Sequence, residues 1–181
     1  MNKDGAMGAF NSILNNYIYG MVCSRLADVE EWDAMEHVPA TFEGPQGELL
    51  HVELGDMVRA LRVSDQRKAV VDEHEAALKR MLVREAHEAG LWYSEETRQD
   101  ALLKAAPWFQ YARILRNTVS HKQAGIMREW PRDLKDKGST QVTWRARTLN
   151  ASMVGQPVEL THHEAILLFK DMVEYVRDKM A

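Results

Sequence analysis

Apolar residues recur every three or four positions along the first stretch of the chain, at Phe10, Ile13, Leu14, Tyr17, Ile18, Met21, Val22, Leu26 and Val29. That spacing gathers them on one stripe of a helix and predicts an amphipathic helix from Phe10 to about Glu36. Pro39 and the run Glu43-Gly44-Pro45-Gln46-Gly47 break the pattern into a loop. A shorter helix is expected around Leu49 to Leu61, with Leu50, Leu54, Met57, Val58 and Leu61 on one face and Gly55 inside it. Ser64 offers an N-cap for the next helix, which runs to Ala89 with Val70, Val71, His74, Ala77, Leu78, Met81 and Leu82 inward. Gly90 stands where a C-terminal glycine stop is expected.

Ser94, followed by Glu95 and Glu96, supplies a capping hydroxyl and two acids suited to the positive end of a further helix. That helix carries Leu102, Leu103, Ala106, Phe109, Ile114, Leu115 and Val119, and Pro107 must kink it or split it into a short and a longer piece. After His121 a polar connector with Gly125, Pro131 and Gly138 leads into the alternating run Gln141 to Arg147. Together with Gln156 to Leu160, which follows Gly155, this run predicts a two-stranded ribbon. Thr161 and Glu164 form a T-x-x-E capping box for a final helix presenting Ile166, Leu168, Phe169, Met172, Val173, Val176 and Met180. No internal repeat appears. The expected fold is an all-α, up-down helical bundle with a small β-hairpin before the C-terminal helix, as a single domain over residues 1–181.

Composition narrows the setting. The chain has 181 residues, enough for one domain with a core that needs no covalent staples. Hydrophobic residues at 45% and charged residues at 28% are ordinary for a water-soluble globular chain. The single cysteine, Cys23, rules out an intramolecular disulfide, and its place on the apolar side of the first helix predicts a small buried side chain. Polar residues interrupt every apolar run of the N-terminal stretch MNKDGAMGAFNSILNN, so a secretory signal is not expected, and no run approaches the length of a membrane span. A cytoplasmic protein without membrane association is the expectation. The formal net charge of −4 argues against a protein that coats nucleic acid in bulk, yet an enzyme that cuts one strand needs only a local positive site.

The segment Tyr111-Ala112-Arg113-Ile114-Leu115-Arg116-Asn117-Thr118-Val119-Ser120-His121 supplies such a site. Arg113, Asn117 and His121 are four residues apart and share one helical stripe. Arg116 lies five residues before His121, about 140° round an ideal helix, so the two converge only if the last turn loosens or the side chains reach across. The residue types suit cleavage of an RNA phosphodiester by its own 2′-hydroxyl. Histidine titrates near neutrality and can take or give a proton. A guanidinium offers forked donors to a phosphate that gains charge in the transition state. An amide one turn before the histidine can orient its ring or hold a phosphate oxygen.

Arg116-Asn117-x-x-x-His121 resembles the arginine–polar–x-x-x–histidine signature of HEPN domains, and the helical pattern around it extends the resemblance over most of the chain. The resemblance implies a homodimer whose two motif copies face a shared cleft, and a metal-independent endoribonuclease of the kind found in toxin–antitoxin pairs, phage defence and RNA processing. It implies that Arg116 stabilises the phosphate, Asn117 supports the site and His121 is the acid–base residue, with no metal and no cofactor. Arg113, Ser120 and Lys122 are the further candidates for contact with the RNA. An antitoxin or regulatory partner is expected to restrain such an enzyme. The alternative is a non-catalytic HEPN-like module for dimerisation and protein interaction.

Plainer roles stand beside these. Arg116 and His121 could be a solvated basic helix end, Asn117 a polar residue on a wet face, Arg113 a partner for a distant acid, and Ser120 a donor to its own helix. His162 and His163 point to different sides of a helix and should be exposed. His74 and His87, with Glu73, Glu85 and Glu88 nearby, lack metal-ligand spacing. Trp108, Phe109 and Tyr111 are expected in core and subunit-interface packing rather than as base-stacking platforms. Arg145 and Arg147, flanking Trp144, suit an exposed hairpin face, with an RNA-gripping arm as the other reading.

Overall fold

Seven α-helices and two β-hairpins make up the described part of the computed structural model, which covers residues 2–26, 39–43, 47–53, 55–119 and 125–181. Helix accounts for 67% of it, so the expected mostly-α class holds, including a two-stranded hairpin before the C-terminal helix. In chain order α1 is Lys3–Leu26, β1 Ala40–Glu43, β2 Leu49–Val52, α2 Gly55–Arg62 and α3 Ser64–Glu96. Then come α4 Asp100–Lys104, α5 Phe109–Val119, α6 Arg132–Asp136, β3 Gln141–Trp144, β4 Arg147–Asn150 and α7 His162–Lys179.

Helix α1 begins earlier than its apolar stripe suggests, because the Asn2 side chain accepts from the Gly5 amide (2.8 Å) and caps the first turn. The expected continuation to Glu36 lies outside the described residues. Residues 49–52 are not helical. They pair antiparallel with β1 in the register Ala40↔Val52 to Glu43↔Leu49, and Gly55 opens α2 instead of sitting inside it. Strand pairing took these residues because one short apolar run serves either element equally well. Leu50, expected inward, is exposed, whereas Val58 and Leu61 are buried as expected.

Helix α3 runs through Gly90 and stops at Glu96. The stop is a Schellman arrangement: the Gln99 amide donates to the Ser94 carbonyl (2.7 Å) and the Arg98 amide to the Glu95 carbonyl (3.2 Å), with Arg98 left-handed at φ 58°. Gly90 is buried against Leu103 within the helix. Ser94 is therefore no N-cap. It is buried, and its hydroxyl donates to the Leu91 carbonyl at 2.8 Å. On the outer part of α3, Val70 and His74 face solvent, contrary to the expected inward stripe. Pro107 does divide a short helix from a longer one, α4 from α5.

The second hairpin keeps its expected first strand but finds a nearer partner. β3 pairs with β4 through the two-residue turn Arg145-Ala146, in which Arg145 takes φ 50°. Residues 155–158 instead brace the connector that follows α5. The Met127 amide donates to the Gln156 carbonyl, and the Gly155 amide returns a bond to the Met127 carbonyl (3.0 and 2.7 Å). The capping box forms as expected, with Thr161 Oγ1 accepting from the Glu164 amide and the Glu164 carboxylate accepting from the Thr161 amide.

The chain gathers into two compact units, Ile18–Ala77 and the remainder, Met1–Tyr17 with Leu78–Ala181. In the smaller unit Val58 and Leu61 are buried while every residue of β2 is exposed. The larger unit holds an aromatic core. Phe10 of α1 meets Phe169 of α7 edge-on at 5.9 Å, Trp108 meets Tyr175 of α7 edge-on at 6.0 Å, and Tyr111 of α5 lies 5.3 Å from Trp144 of β3. Trp108, Phe109 and Tyr111 thus belong to the core, as expected. Cys23 is a free thiol and only half-buried. No helix among the described residues is long and apolar enough to cross a membrane.

Candidate functional site

Helix α5 is two-faced. Tyr111, Ala112, Ile114, Leu115 and Thr118 are buried, and this inner stripe leaves Arg113, Arg116 and Asn117 on the outer face. Burial of the inner stripe therefore decides where the basic residues of the motif can point.

Two of the outer-face residues meet directly. Arg116 Nη1 donates to Asn117 Oδ1 at 3.0 Å, so neighbouring residues of the motif form one polar unit at the last turn of the helix. The same guanidinium reaches across to α3, where its Nε donates to Glu88 Oε1 at 2.6 Å and its Nη2 contacts the same carboxylate oxygen. Arg113, one turn earlier, turns away to α6 and donates from Nη2 to both oxygens of Asp133, at 2.8 and 3.1 Å. That hydrogen bond holds the Asp133 carboxyl below its ordinary range. The expected Arg113–Asn117 stripe is present as backbone geometry, but its two side chains serve different partners.

Ser120, His121 and Lys122 lie outside the described residues. Helix α5 ends at Val119, two residues before His121. The chain is described again from Gly125, whose amide donates to the Thr118 carbonyl at 3.4 Å and whose φ is 95°. The next residues are firmly anchored: Met127 is buried, and Trp130 donates its indole N–H to the Ser139 carbonyl at 2.8 Å. Between these anchors Arg128 and Glu129 line a cleft of about 40 Å³ with Ile114, Asn117, Thr118 and Pro131. That volume is near the size of one water molecule, so the cleft can admit a single polar group beside Asn117.

Beneath the polar face lies a residue that the motif does not include. His87 is buried on α3 with its ring 5.4 Å from that of Phe109, and neither ring nitrogen has a hydrogen-bond partner among the described residues. Burial pushes its pKa down to about 4, Glu88 opposes the shift, and Arg116 and Arg113 add to it. The imidazole is neutral at pH 7. Glu88 and His87 carry no local signal of belonging to this site, since only the packing of α3 on α5 brings them to it.

The other candidate groups are engaged elsewhere. Arg145 forms a forked pair with Asp171, whose Oδ2 also accepts the Trp144 indole N–H, and its guanidinium lies over the Trp144 ring. Arg147 pairs with Glu164 at 3.0 Å and donates to the Glu159 carbonyl. Both arginines tie the hairpin side of the fold to α7 or to the segment before it. His163 is exposed, as expected, but His162 is half-buried and its Nδ1 shares a 2.6 Å hydrogen bond with the Tyr17 hydroxyl. Among the described residues, no three His, Cys, Asp or Glu side chains cluster as metal ligands would.

Compared with protein-family models, with curated proteins and with solved structures, the chain finds no match in any of the three.

Proposed function

We propose that this protein is a metal-independent endoribonuclease of HEPN type, acting as a homodimer in the cytoplasm as a toxin or phage-defence effector under the restraint of a partner protein. The observation that carries the reading is the Arg116–Asn117 pair. Two motif side chains are hydrogen-bonded to each other on the outer face of the last turn of α5, two residues before the helix end, with His121 following two residues after it.

In this reaction a base removes the proton of the RNA 2′-hydroxyl, and the oxygen attacks the adjacent phosphorus. The bond from phosphorus to the 5′-oxygen breaks, and that oxygen leaves with a proton. The products are a 2′,3′-cyclic phosphate and a 5′-hydroxyl. His121 is the acid–base residue, since an imidazole can both accept and donate a proton near pH 7. Arg116 stabilises the charge that builds on the phosphate oxygens. Asn117, whose amide oxygen is held by Arg116, has its amide N–H groups left to reach a phosphate oxygen. Arg113, Ser120 and Lys122 are the further contacts to RNA.

The test is incubation with mixed cellular RNA in excess EDTA, with His121→Ala and Arg116→Ala in parallel. Discrete fragments ending in cyclic phosphate, made only by the unmutated protein, are expected. Undiminished cleavage by His121→Ala would sink the reading, and a monomer in light scattering at assay concentration would sink the shared cleft.

A second reading is a non-catalytic module for dimerisation and protein interaction. It is favoured by one observation: both Arg113 and Arg116 already hold carboxylates, as structural arginines do. A well-folded dimer that leaves RNA intact is its expected result.

A further inference from the structure

The Arg116 guanidinium is gripped along the edge that a phosphate would use. Its Nε–H and an Nη2–H both point at Glu88 Oε1, so the fork that matches two phosphate oxygens is closed on a single carboxylate oxygen of the protein itself. The carboxylate comes from a different helix, 28 residues away in sequence, and so is not an accident of neighbours in one turn.

Both groups are accessible, with side chains 37% and 46% exposed for Arg116 and Glu88. An ion pair this open is screened by water and salt and shifts an equilibrium by about fivefold at most. It is therefore strong enough to compete with a ligand and weak enough to be displaced by one. A carboxylate and a phosphodiester carry the same charge and seek the same donors, so both cannot occupy this edge of Arg116 together.

We propose that Glu88 is a further residue of the site, an internal carboxylate that occupies the phosphate-binding edge of Arg116 and sets the affinity of the site for the backbone of RNA. This rests on the ribonuclease reading for the identity of the ligand. RNA enters by displacing Glu88 from Arg116, and the carboxylate swings into solvent. Because Asn117 is held by Nη1 of the same guanidinium, its amide can stay in place during the exchange.

Glu88→Gln removes the charge while keeping side-chain length and helix preference, so the fold is retained. The probe is a fluorescent 2′-O-methyl RNA oligonucleotide, which lacks the attacking hydroxyl and reports binding without cleavage. Fluorescence anisotropy is expected to show about fivefold tighter binding by Glu88→Gln. Glu85→Gln, which removes the same charge one turn earlier on α3 from a carboxylate paired with Arg84, should leave affinity within about twofold. In an Arg116→Ala background, adding Glu88→Gln should change nothing, because the edge that Glu88 competes for is gone.

Unchanged or weaker binding by Glu88→Gln, an equal gain from Glu85→Gln, or a gain that persists without Arg116 would overturn the proposal, as would failure of every form to bind the probe. The cleavage assay in EDTA reads the other question separately. Cleavage with no effect of Glu88→Gln on binding removes the Glu88 inference alone. Tighter binding with no cleavage removes the ribonuclease reading and leaves Glu88 as the residue that sets RNA affinity.

Discussion

The ring of His87 lies 5.4 Å from the ring of Phe109, centroid to centroid, in a contact that leaves both imidazole nitrogens buried and unpartnered among the described residues. A polar ring without partners costs stability, and it costs far more once it carries a charge. The histidine is held neutral there, one position along α3 from the carboxylate that grips Arg116.

The pH dependence follows from that burial. The His87 pKa is about 4 in the folded chain against an ordinary 6.5, so between these values the unfolded chain binds the extra proton. Stability is complete above pH 6.5 and falls as the pH drops toward 4. The loss from this group between pH 7 and pH 5 should be about 2 kcal/mol. His87→Met fills similar space and cannot titrate, so the urea midpoint of the variant should fall less on acidification than that of the unmutated protein. Equal losses in both would show that His87 is not the source.

The hairpin offers a second measurement. Asp171 accepts from the Trp144 indole at 2.8 Å and from Arg145 at 2.7 and 3.0 Å, and its side chain is only 19% exposed. Burial pushes the Asp171 pKa upward, but the bonds from Arg145 and Trp144 outweigh it, and the carboxyl sits below its ordinary value. Asp171→Ala leaves the indole N–H of a buried tryptophan unpaired and should cost about 2–3 kcal/mol in urea unfolding. Asp171→Asn keeps an acceptor and should cost roughly half as much. A loss below that of an ordinary surface substitution in both variants would mean the hairpin is held by packing alone.

Gly90 and Arg98 have exchanged the positions that helix chemistry prefers. Gly90 lies inside α3, where a Cβ would meet Leu103 Cδ1 at an ordinary 3.8 Å, so Gly90→Ala should stabilise by about 1 kcal/mol. In a chain of this size that corresponds to a rise of roughly 2–4 °C in Tm by calorimetry. Arg98 occupies the left-handed position at the helix end, φ 58°, where glycine is relaxed. Arg98→Gly should therefore raise Tm and Arg98→Ala should not, and a gain from both would contradict the strain argument.

These two residues also explain why the sequence pattern places the end of α3 too early. A glycine after an apolar stripe is the usual mark of a helix stop, yet Gly90 is buried within α3 and the helix runs on to Glu96. The actual stop carries arginine, which gives no composition signal. The capping box at Thr161 and Glu164 was legible because both of its bonds are local, and Pro107 was legible because its ring forbids a continuous helix. The strand at Leu49–Val52 was not, since three apolar residues around His51 make too short a run to separate period two from period 3.6.

For the candidate site the division is similar. Local spacing along the chain determined that Arg113, Arg116 and Asn117 ride the wet face of a helix, because the apolar residues between them had to go inward. Tertiary structure alone decided their partners. It set Glu88 on Arg116, Asp133 on Arg113, and His87 in the dry layer beneath, through contacts between elements that are remote in sequence. Periodicity records which side of a helix is buried, a property of one segment. Which charge meets which depends on how two segments pack, and no single segment carries that information.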